Sequence, residues 1–353
     1  MASTSPSSRG QPDVSGGAAA PRVSVVMPAR NAEATLGLAL ESVLASQDVS
    51  LELLVVDDGS RDATRALAEG AMSRDARVRV VRGAGAGIAQ ALNLGVALAR
   101  AELIARMDAD DWCHPERLAA QVARFAADPS ERLGALGTRV GVFGAAPSAG
   151  FMRFVGWQNS LVTAVEHARD LFVDAPLCHP SVMLRRSTLL AVGGYDEGDV
   201  AEDYELFLRM DRAGYTLEKL PRELLRWRRH EGQTTFTDPR FSVPSMRALK
   251  ARYLAPALAA SERKLVVWGA GRDGRRFARA LQPFGLAPRA FVDIDPKKLG
   301  RIAQGAPIVR PEQLRPETDV VVASVGVEGA RELIRDHLLG IGMVEGEGFF
   351  CVA

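Results

Sequence analysis

Residues 103–111 read LIARMDADD, a mainly apolar run followed at once by three aspartates. A short apolar run that ends in polar residues is typical of a buried strand, and Asp108 then opens the loop behind it. Carboxylates at positions i and i+2 can reach one ligand, and Mg²⁺ or Mn²⁺ prefers such oxygens, usually shared with phosphate. The stretch therefore predicts a strand with a candidate cation site, formed by Asp108 and Asp110, at its carboxyl end.

Two upstream stretches repeat this arrangement of an apolar run followed by a polar loop. VSVVM at 23–27 runs into Pro28-Ala29-Arg30-Asn31, and LELLVV at 51–56 runs into Asp57-Asp58-Gly59-Ser60. A further apolar run at 78–81 and helical spacing at 32–45, 60–68 and 87–99 complete the pattern. Alternating strands and helices predict an α/β domain with a mainly parallel sheet. Because ligands bind outside the carboxyl ends of such strands, we expect the three polar loops to converge.

The remaining sequence divides into further elements and a second α/β pattern. Apolar spacing predicts helices at 115–127 and 202–213 and short strands at 216–220 and 224–228, whereas the Gly-rich stretch 134–156 is expected to be irregular. From Lys264 onward, strands are expected at 265–268, 290–292 and 319–323, with a helix ending at Leu281. We therefore expect a disordered tail at 1–20, an α/β domain at 21–240, a helical linker at 241–260 and a smaller α/β domain at 261–353.

The composition excludes several classes of protein. Lys and Arg total 44 against 43 Asp and Glu, so no net charge favours a nucleic acid partner. The three cysteines lie far apart, which speaks against a disulfide framework and fits the cytoplasm. No apolar run is long enough to span a membrane, so we expect at most peripheral membrane contact. The basic helical segment 246–260 could make that contact or could connect the two domains.

Two further clusters of charged residues could carry chemistry. Glu202-Asp203 begins a predicted helix, where a carboxylate could act as a general base or simply stabilise the helix N-terminus. Residues 226–230 read RWRRH, so Arg228 could contact phosphate and His230 could supply a nitrogen ligand to a metal. The alternative for RWRRH is a solvated basic strand end.

Residues 1–235 resemble the family 2 glycosyltransferases of the GT-A fold, and five stretches carry the resemblance in the family's order and spacing. They are VSVVMPARNAEATLGLALESVLASQ, LELLVVDDGSRDAT, IAQALNLGVALARAELIARMDADDWCHPERLAAQ, HPSVMLRRSTLLAVGGYDEGDVAEDYELFLRM and LRWRRHEGQTT. The resemblance implies an inverting, metal-dependent, hexosyltransferase-type transfer from a nucleotide-sugar donor, with a UDP-sugar as the commonest choice. It implies a carbohydrate or lipid-linked acceptor in glycan or polysaccharide biosynthesis.

The resemblance also implies residue roles, carried over by position. Pro28, Ala29, Arg30 and Glu33 would form the nucleoside pocket, and Asp57 and Asp58 would hydrogen-bond the base and ribose. Asp108 and Asp110 match the DxD motif that would hold Mg²⁺ or Mn²⁺, and the resemblance favours Asp110 over Asp108 as the direct ligand. Asp203 matches the catalytic base with Glu202 beside it, while Arg228 and His230 match the pattern that contacts diphosphate or metal.

One position departs from many relatives. They carry Ala-Arg-Asn in the helix before the DxD strand, whereas this chain has Ala91-Leu92-Asn93. If that arginine helps to hold the diphosphate, another cation must replace it here. Arg106, two residues before Asp108, is the candidate.

The C-terminal part supports a rival interpretation. Residues 269–274 read GAGRDG after a predicted strand, and Asp293 closes the next strand, as in a dinucleotide-binding fingerprint. Gly269, Gly271, Gly274 and Asp293 are therefore candidate nucleotide-binding residues. The alternatives are an NAD(P)-dependent oxidoreductase, a nucleotide-binding module and a docking domain. This part also resembles the small nucleotide-binding domain of sugar acyltransferases, through GAGRDGRRFARAL, FVDIDPKKLG and a turn at Gly305–Pro307.

Overall fold

The computed structural model describes residues 20–353, so the tail expected at 1–20 lies outside the described residues except for Ala20. The strands form two sheets, one of eight strands and one of six. The larger sheet contains β1 Val23–Ala29, β2 Leu51–Asp57, β3 Val78–Arg82, β4 Leu103–Arg106, β5 Trp112–Cys113, β6 Leu133–Gly144, β7 Met183–Arg185 and β8 Thr216–Arg229. The helices are α1 Leu36–Leu44, α2 Thr64–Arg74, α3 Ile88–Leu98, α4 Arg117–Ala126, α5 Ala149–Ser160, α6 Ala164–Asp170, α7 Arg186–Ala191, α8 Glu202–Arg212, α9 Thr234–Thr237, α10 Val243–Ala260, α11 Arg272–Leu281 and α12 Ala330–Gly340.

The larger sheet runs in the order β3-β2-β1-β4-β7-β6-β8-β5. Its first four strands are parallel, whereas β7 is antiparallel to both β4 and β6. Alternation along β1 places Val25 and Met27 in one hydrophobic core and Val26 in a second core on the opposite face. The expected α/β domain with a mainly parallel sheet is therefore confirmed, and the carboxyl ends of β1, β2 and β4 lie at one edge.

The Gly-rich stretch 134–156 is not irregular, and that expectation was wrong. It forms most of β6 and the first part of α5. A Cβ added at Gly144 would clash with the backbone carbonyl oxygen of Arg229, so this glycine permits the close approach of the end of β8. The two strands expected at 216–220 and 224–228 are one strand, β8, which pairs with β6 through an irregularity near residue 221.

The smaller sheet lies in the C-terminal region and has the order β11-β12-β10-β9-β13-β14. Its strands are β9 Lys264–Trp268, β10 Ala290–Val292, β11 Ile302–Ala303, β12 Ala306–Val309, β13 Asp319–Ala323 and β14 Phe349–Cys351. All neighbours are parallel except β11 and β12, which form a hairpin around Gly305. A second, smaller and mainly parallel sheet is thus present in the C-terminal region.

Helix α10 packs against both sheets. Leu249 belongs to a core of the larger sheet, whereas Leu254 and Leu258 pack with β9 and α11 of the smaller one. Because α10 buries apolar surface against both sheets, it connects them. Among the described residues, no helix is both long enough and apolar enough to cross a membrane.

Candidate active site

A cleft of about 1940 Å³ lies at the carboxyl edge of the larger sheet and extends to the smaller sheet. Most residues expected at the site line it: Pro28, Ala29, Arg30, Asp58, Arg106, Asp108, Asp110, Glu202, Asp203, Arg228 and His230. The polar loops after β1, β2 and β4 therefore meet, as their strand-end positions suggested.

Two expected donor-binding residues do not line the cleft. Glu33 is exposed, and its Oε2 accepts a hydrogen bond from the backbone N–H of Ala63 at 2.9 Å. Asp57 is buried, and its Oδ1 accepts from the N–H of Ser60 at 3.0 Å. Both carboxylates thus shape the loop after β2. Asp58 lines the cleft and accepts from Gly85 and Gly87, each at 2.8 Å.

The aspartates after β4 form a compact acidic cluster. One carboxylate oxygen from each of Asp108, Asp110 and Asp111 lies within 4.8 Å of the others. Burial and the charge of Asp108 raise the pKa of Asp110 to about 6. Asp111 is fully buried, and no donor in the described part of the chain hydrogen-bonds to its Oδ2. Three crowded carboxylates and an unpartnered buried oxygen fit a divalent cation, because a cation offsets both their repulsion and their desolvation.

The segment after β8 closes over this cluster. Nε2 of His230 lies 3.2 Å from Oδ2 of Asp110, and Nε of Arg228 donates to the carbonyl oxygen of Asp110 at 2.6 Å. The backbone N–H of Arg228 donates to Oδ1 of Asp111 at 2.7 Å. Buried Gln233, which the sequence did not single out, donates to the carbonyl of Arg228 and accepts from the N–H of His230. Gln233 therefore fixes the turn that brings His230 to the acidic cluster.

Arg106 is the buried cation of the site. Its Nη1 lies 2.5 Å from Oδ2 of Asp108, yet within residues 20–353 neither Nη1 nor Nε makes a hydrogen bond of acceptable geometry. Burial acts to lower the pKa of Arg106, but the charge and the close contact of Asp108, together with the charges of Tyr195 and Asp111, outweigh burial and raise that pKa. Its charge also acts to lower the pKa of Asp110 and of Asp203. Arg106 therefore lies where one guanidinium influences both the acidic cluster and the candidate base.

Asp203 and Glu202 occupy the first turn of α8. Burial, followed by the charge of Asp203, raises the pKa of Glu202 to about 7, although Arg240 approaches Glu202 at 3.3 Å. Burial also raises the pKa of Asp203, and the charge of Asp174, which lines the same cleft, adds to that effect. A carboxylate whose pKa is raised towards neutrality is a better proton acceptor, which is the property a general base needs. Asp174 stands in no motif, so the sequence contained no signal for it.

Helix α3 carries Ala91-Leu92-Asn93 where many relatives have Ala-Arg-Asn, and these residues have a structural role. Leu92 is buried in the core beneath the sheet, away from the cleft. The amide of Asn93 both donates to and accepts from the backbone of Tyr195, at 2.9 and 2.8 Å. The hydroxyl of Tyr195 lies 3.0 Å from Nε2 of His179, which lines the cleft. Asn93 therefore positions the loop beneath His179, and Arg106 remains the cation beside the acidic cluster.

The fingerprint residues of the smaller sheet are engaged with one another. A Cβ added at Gly274 would clash with the carbonyl oxygen of Gly269, so only glycine permits this contact between helix and strand. Oδ2 of Asp293 accepts from the N–H of Ala270 at 3.1 Å and from Nζ of Lys298 at 2.9 Å. Donors of the protein itself therefore bind the carboxylate that was expected to bind a ribose. Gly269, Gly271, Gly274 and Asp293 are not among the residues that line the cleft, although Arg272 and Arg276 beside them are.

The sequence that forms this site is similar to sequences of glycosyltransferases. Residues 24–192 match the model of the glycosyl transferase family 2. The putative glycosyltransferase EpsE of Bacillus subtilis (strain 168) is 29% identical over 200 residues, covering 55% of this chain and 68% of EpsE. The succinoglycan biosynthesis protein ExoO of Rhizobium meliloti (strain 1021) is 42% identical over 107 residues, which is 30% of either chain. The similarity therefore spans most of EpsE but less than a third of ExoO.

Solved structures support the same fold. The crystal structure of S. aureus TarS 1–349 in complex with UDP-GlcNAc superposes with a TM-score of 0.53 at 19% identity, covering 74% of this chain and 71% of that one. A second crystal structure of S. aureus TarS superposes with a TM-score of 0.51 at 17% identity, over 74% of this chain and 42% of that one.

Proposed function

We propose that this chain, whose residues 24–192 form a glycosyltransferase family 2 domain, moves a sugar from a nucleotide-sugar to an acceptor hydroxyl in an inverting, metal-dependent reaction. The observation that carries the proposal is the 3.2 Å approach of His230 to Asp110 beside the buried Arg106. It joins acidic, imidazole and guanidinium groups at the strand ends where a diphosphate and its cation would bind.

The leaving group is the first chemical requirement. As the bond from the anomeric carbon to the diphosphate breaks, negative charge accumulates on the diphosphate. Asp108, Asp110 and His230 would hold Mg²⁺ or Mn²⁺, which supplies Lewis-acid stabilisation of that charge. Arg106 and Arg228 would donate hydrogen bonds to the diphosphate oxygens. Each guanidinium has N–H groups that make no well-aligned hydrogen bond to a carboxylate of the described residues.

The acceptor is the second requirement. The anomeric carbon gains oxocarbenium character, and the acceptor hydroxyl attacks it from the face opposite the diphosphate. Asp203 would take the hydroxyl proton as the new bond forms, and Glu202 with Arg240 would hold the start of α8 in place. One displacement inverts the anomeric centre and needs no covalent intermediate.

The donor and the acceptor are proposed from chemistry and from relatives. A UDP-sugar is the proposed donor, since the TarS structure with the same fold holds UDP-GlcNAc. A carbohydrate or lipid-linked acceptor in polysaccharide biosynthesis is proposed because ExoO is named a succinoglycan biosynthesis protein. The proposed place of action is the cytoplasm, with at most peripheral contact with a membrane.

A hydrolysis screen followed by proton NMR tests the proposal. The chain is incubated with UDP-, GDP- and dTDP-sugars and Mn²⁺, and the anomer of the released sugar is recorded before mutarotation. Slow turnover of a UDP-sugar with inversion is expected. Retention of configuration would contradict the single displacement, and turnover that is unchanged in EDTA would contradict the role of the acidic cluster.

A further inference from the structure

The cleft does not end at the larger sheet. It continues past Asp203 to the first turns of α11 and to residues 324–332, which follow β13. Strands β9 and β13 are neighbours, and the chain leaves them towards opposite sides of the smaller sheet, to β10 and to β14. Such a switch point is where open α/β sheets bind ligands. In this protein the binding crevice of the second sheet therefore opens into the cleft that contains the candidate base.

The cleft has two walls: the first belongs to the domain of the larger sheet and carries Asp203, and the second is formed by α10, α11 and residues 324–332. Buried polar contacts fix the two walls relative to each other. Nη2 of Arg335 on α12 lies 2.5 Å from Oδ1 of Asp170 on α6. Nζ of Lys250 donates to the carbonyl oxygens of Val173 and Val352, at 2.5 and 3.2 Å. Because buried charged contacts of this kind are costly to break, the second wall stands at a set position opposite Asp203.

The second wall carries two arginines. Arg247 on α10 and Arg276 on α11 both line the cleft. Among the described residues, neither has a carboxylate within 4.0 Å of its guanidinium, and neither side chain makes a hydrogen bond. Burial lowers the pKa of Arg247; the charge of Asp273 opposes this, whereas the charges of Arg276 and Arg279 add to it. The arginines are therefore close enough to repel each other, and an anion between them would relieve that repulsion.

The acids on this wall compensate the charges of that pair only in part, through the charge of Asp273 on Arg247. Asp273 lies 3.9 Å from Arg272, and Glu328 lies 3.9 Å from Arg153. Glu332 is exposed in the first turn of α12, and Asp174 lies on the opposite wall near Lys250. Guanidinium groups bind phosphate through paired hydrogen bonds, and a dianionic phosphate suits two of them better than a single carboxylate does.

We propose that Arg247 and Arg276 bind a phosphate group of the acceptor while the acceptor hydroxyl lies at Asp203. The inference rests on the proposed function and adds a substrate class to it: the acceptor is a phosphorylated glycan or a phosphorylated lipid. Val243 and Val327, which are 68% and 69% exposed, lie on the same lining and give a lipid chain an apolar surface.

Calorimetric titration of the full chain tests this proposal with glucose 6-phosphate and with geranyl phosphate, each with and without saturating UDP and Mg²⁺. We compare the wild type with Arg276→Gln and with Arg247→Gln/Arg276→Gln. Arg275→Gln is the matched control, because Arg275 is an exposed neighbour on α11 that donates to the carbonyl of Gly271 and does not line the cleft. The double variant is expected to weaken binding of at least one phosphate probe by about tenfold or more, and the control by less than about twofold.

The phosphate probe that binds more tightly shows whether the phosphate belongs to a glycan or to a lipid. Equal binding of both probes by the wild type and the double variant would overturn the proposal, as would tighter binding of methyl glucuronide than of either phosphate. Arg276→Gln changes an exposed side chain that makes no hydrogen bond and no ion pair among the described residues, so it keeps the test valid if the double variant does not fold. Failure of UDP and Mg²⁺ to bind the wild type would count against the donor site, and the titrations without UDP would still test the arginine pair.

Discussion

Nε2 of His230 lies 3.2 Å from Oδ2 of Asp110, although 120 residues separate them in the sequence. Asp110 belongs to the loop after β4, whereas His230 directly follows β8. The contact therefore joins the ends of two strands and gives one site a carboxylate and an imidazole. Such a mixed set of ligands suits Mn²⁺ as well as Mg²⁺.

The candidate base is tested by Asp203→Asn. An amide cannot accept the hydroxyl proton, so we expect transfer to fall by at least about a hundredfold while donor affinity changes little. Steady-state turnover and calorimetric titration with the donor measure the two effects. Asp211→Asn serves as the control, since Asp211 is exposed at the other end of α8. Near-normal turnover of the Asp203→Asn variant would remove Asp203 from the mechanism.

Arg106 is expected to replace the cation that Leu92 does not provide. Arg106→Gln should weaken donor binding by about tenfold or more, because a buried guanidinium that contacts diphosphate is lost. Arg106→Lys keeps the charge and should recover part of the affinity. A thermal melt of both variants checks that the site remains folded. If the glutamine variant is folded and binds the donor as tightly as the wild type, Arg106 has no role in binding the diphosphate.

The activity should depend on pH through Asp203. Burial raises the pKa of this carboxylate, so the ionised base is lost, and activity falls, as the pH decreases through that raised pKa. The charge of Asp174 adds to the shift. We therefore expect Asp174→Asn to lower the pKa of Asp203 and to move the acid limb of the kcat/KM profile to lower pH. An acid limb that stays in place, or that moves to higher pH, would show that Asp174 does not act on the base.

The position of the second wall depends on the buried pair Arg335–Asp170. Arg335→Gln leaves the Asp170 carboxylate, which is 2% exposed, without one of its cations, although Arg169 still contacts it. We expect a loss of roughly 2–4 kcal/mol in the free energy of unfolding, because a buried charge loses one of its two cationic partners. Glu332→Gln, exposed on the same helix, should change stability little. Chemical denaturation measures both, and equal stabilities would mean that this ion pair does not hold the wall.

Much of the fold could be predicted from the sequence because the apolar strands end in polar loops. The apolar runs at 23–27 and 51–56 and the strand before Asp108 all lie in the sheet where their pattern placed them. The stretch 134–156 was mispredicted because glycines in β6 accommodate side chains from other elements, such as Glu223 and Leu177, and such packing is invisible in the chain. Asp174, Gln233 and Arg276 were missed for a related reason, since each acquires its place only through contacts between distant segments.

The most direct test of the account is calorimetric titration of the nucleotide-sugar that the screen identifies, in Mn²⁺ and in EDTA, for the wild type and Asp110→Asn. We expect tight binding by the wild type in Mn²⁺, and affinity at least about tenfold weaker when either the metal or the Asp110 carboxylate is removed. EDTA is expected to have little further effect on the Asp110→Asn variant. Equal donor affinity of the wild type in Mn²⁺ and in EDTA would contradict a metal–diphosphate site at Asp108–Asp111.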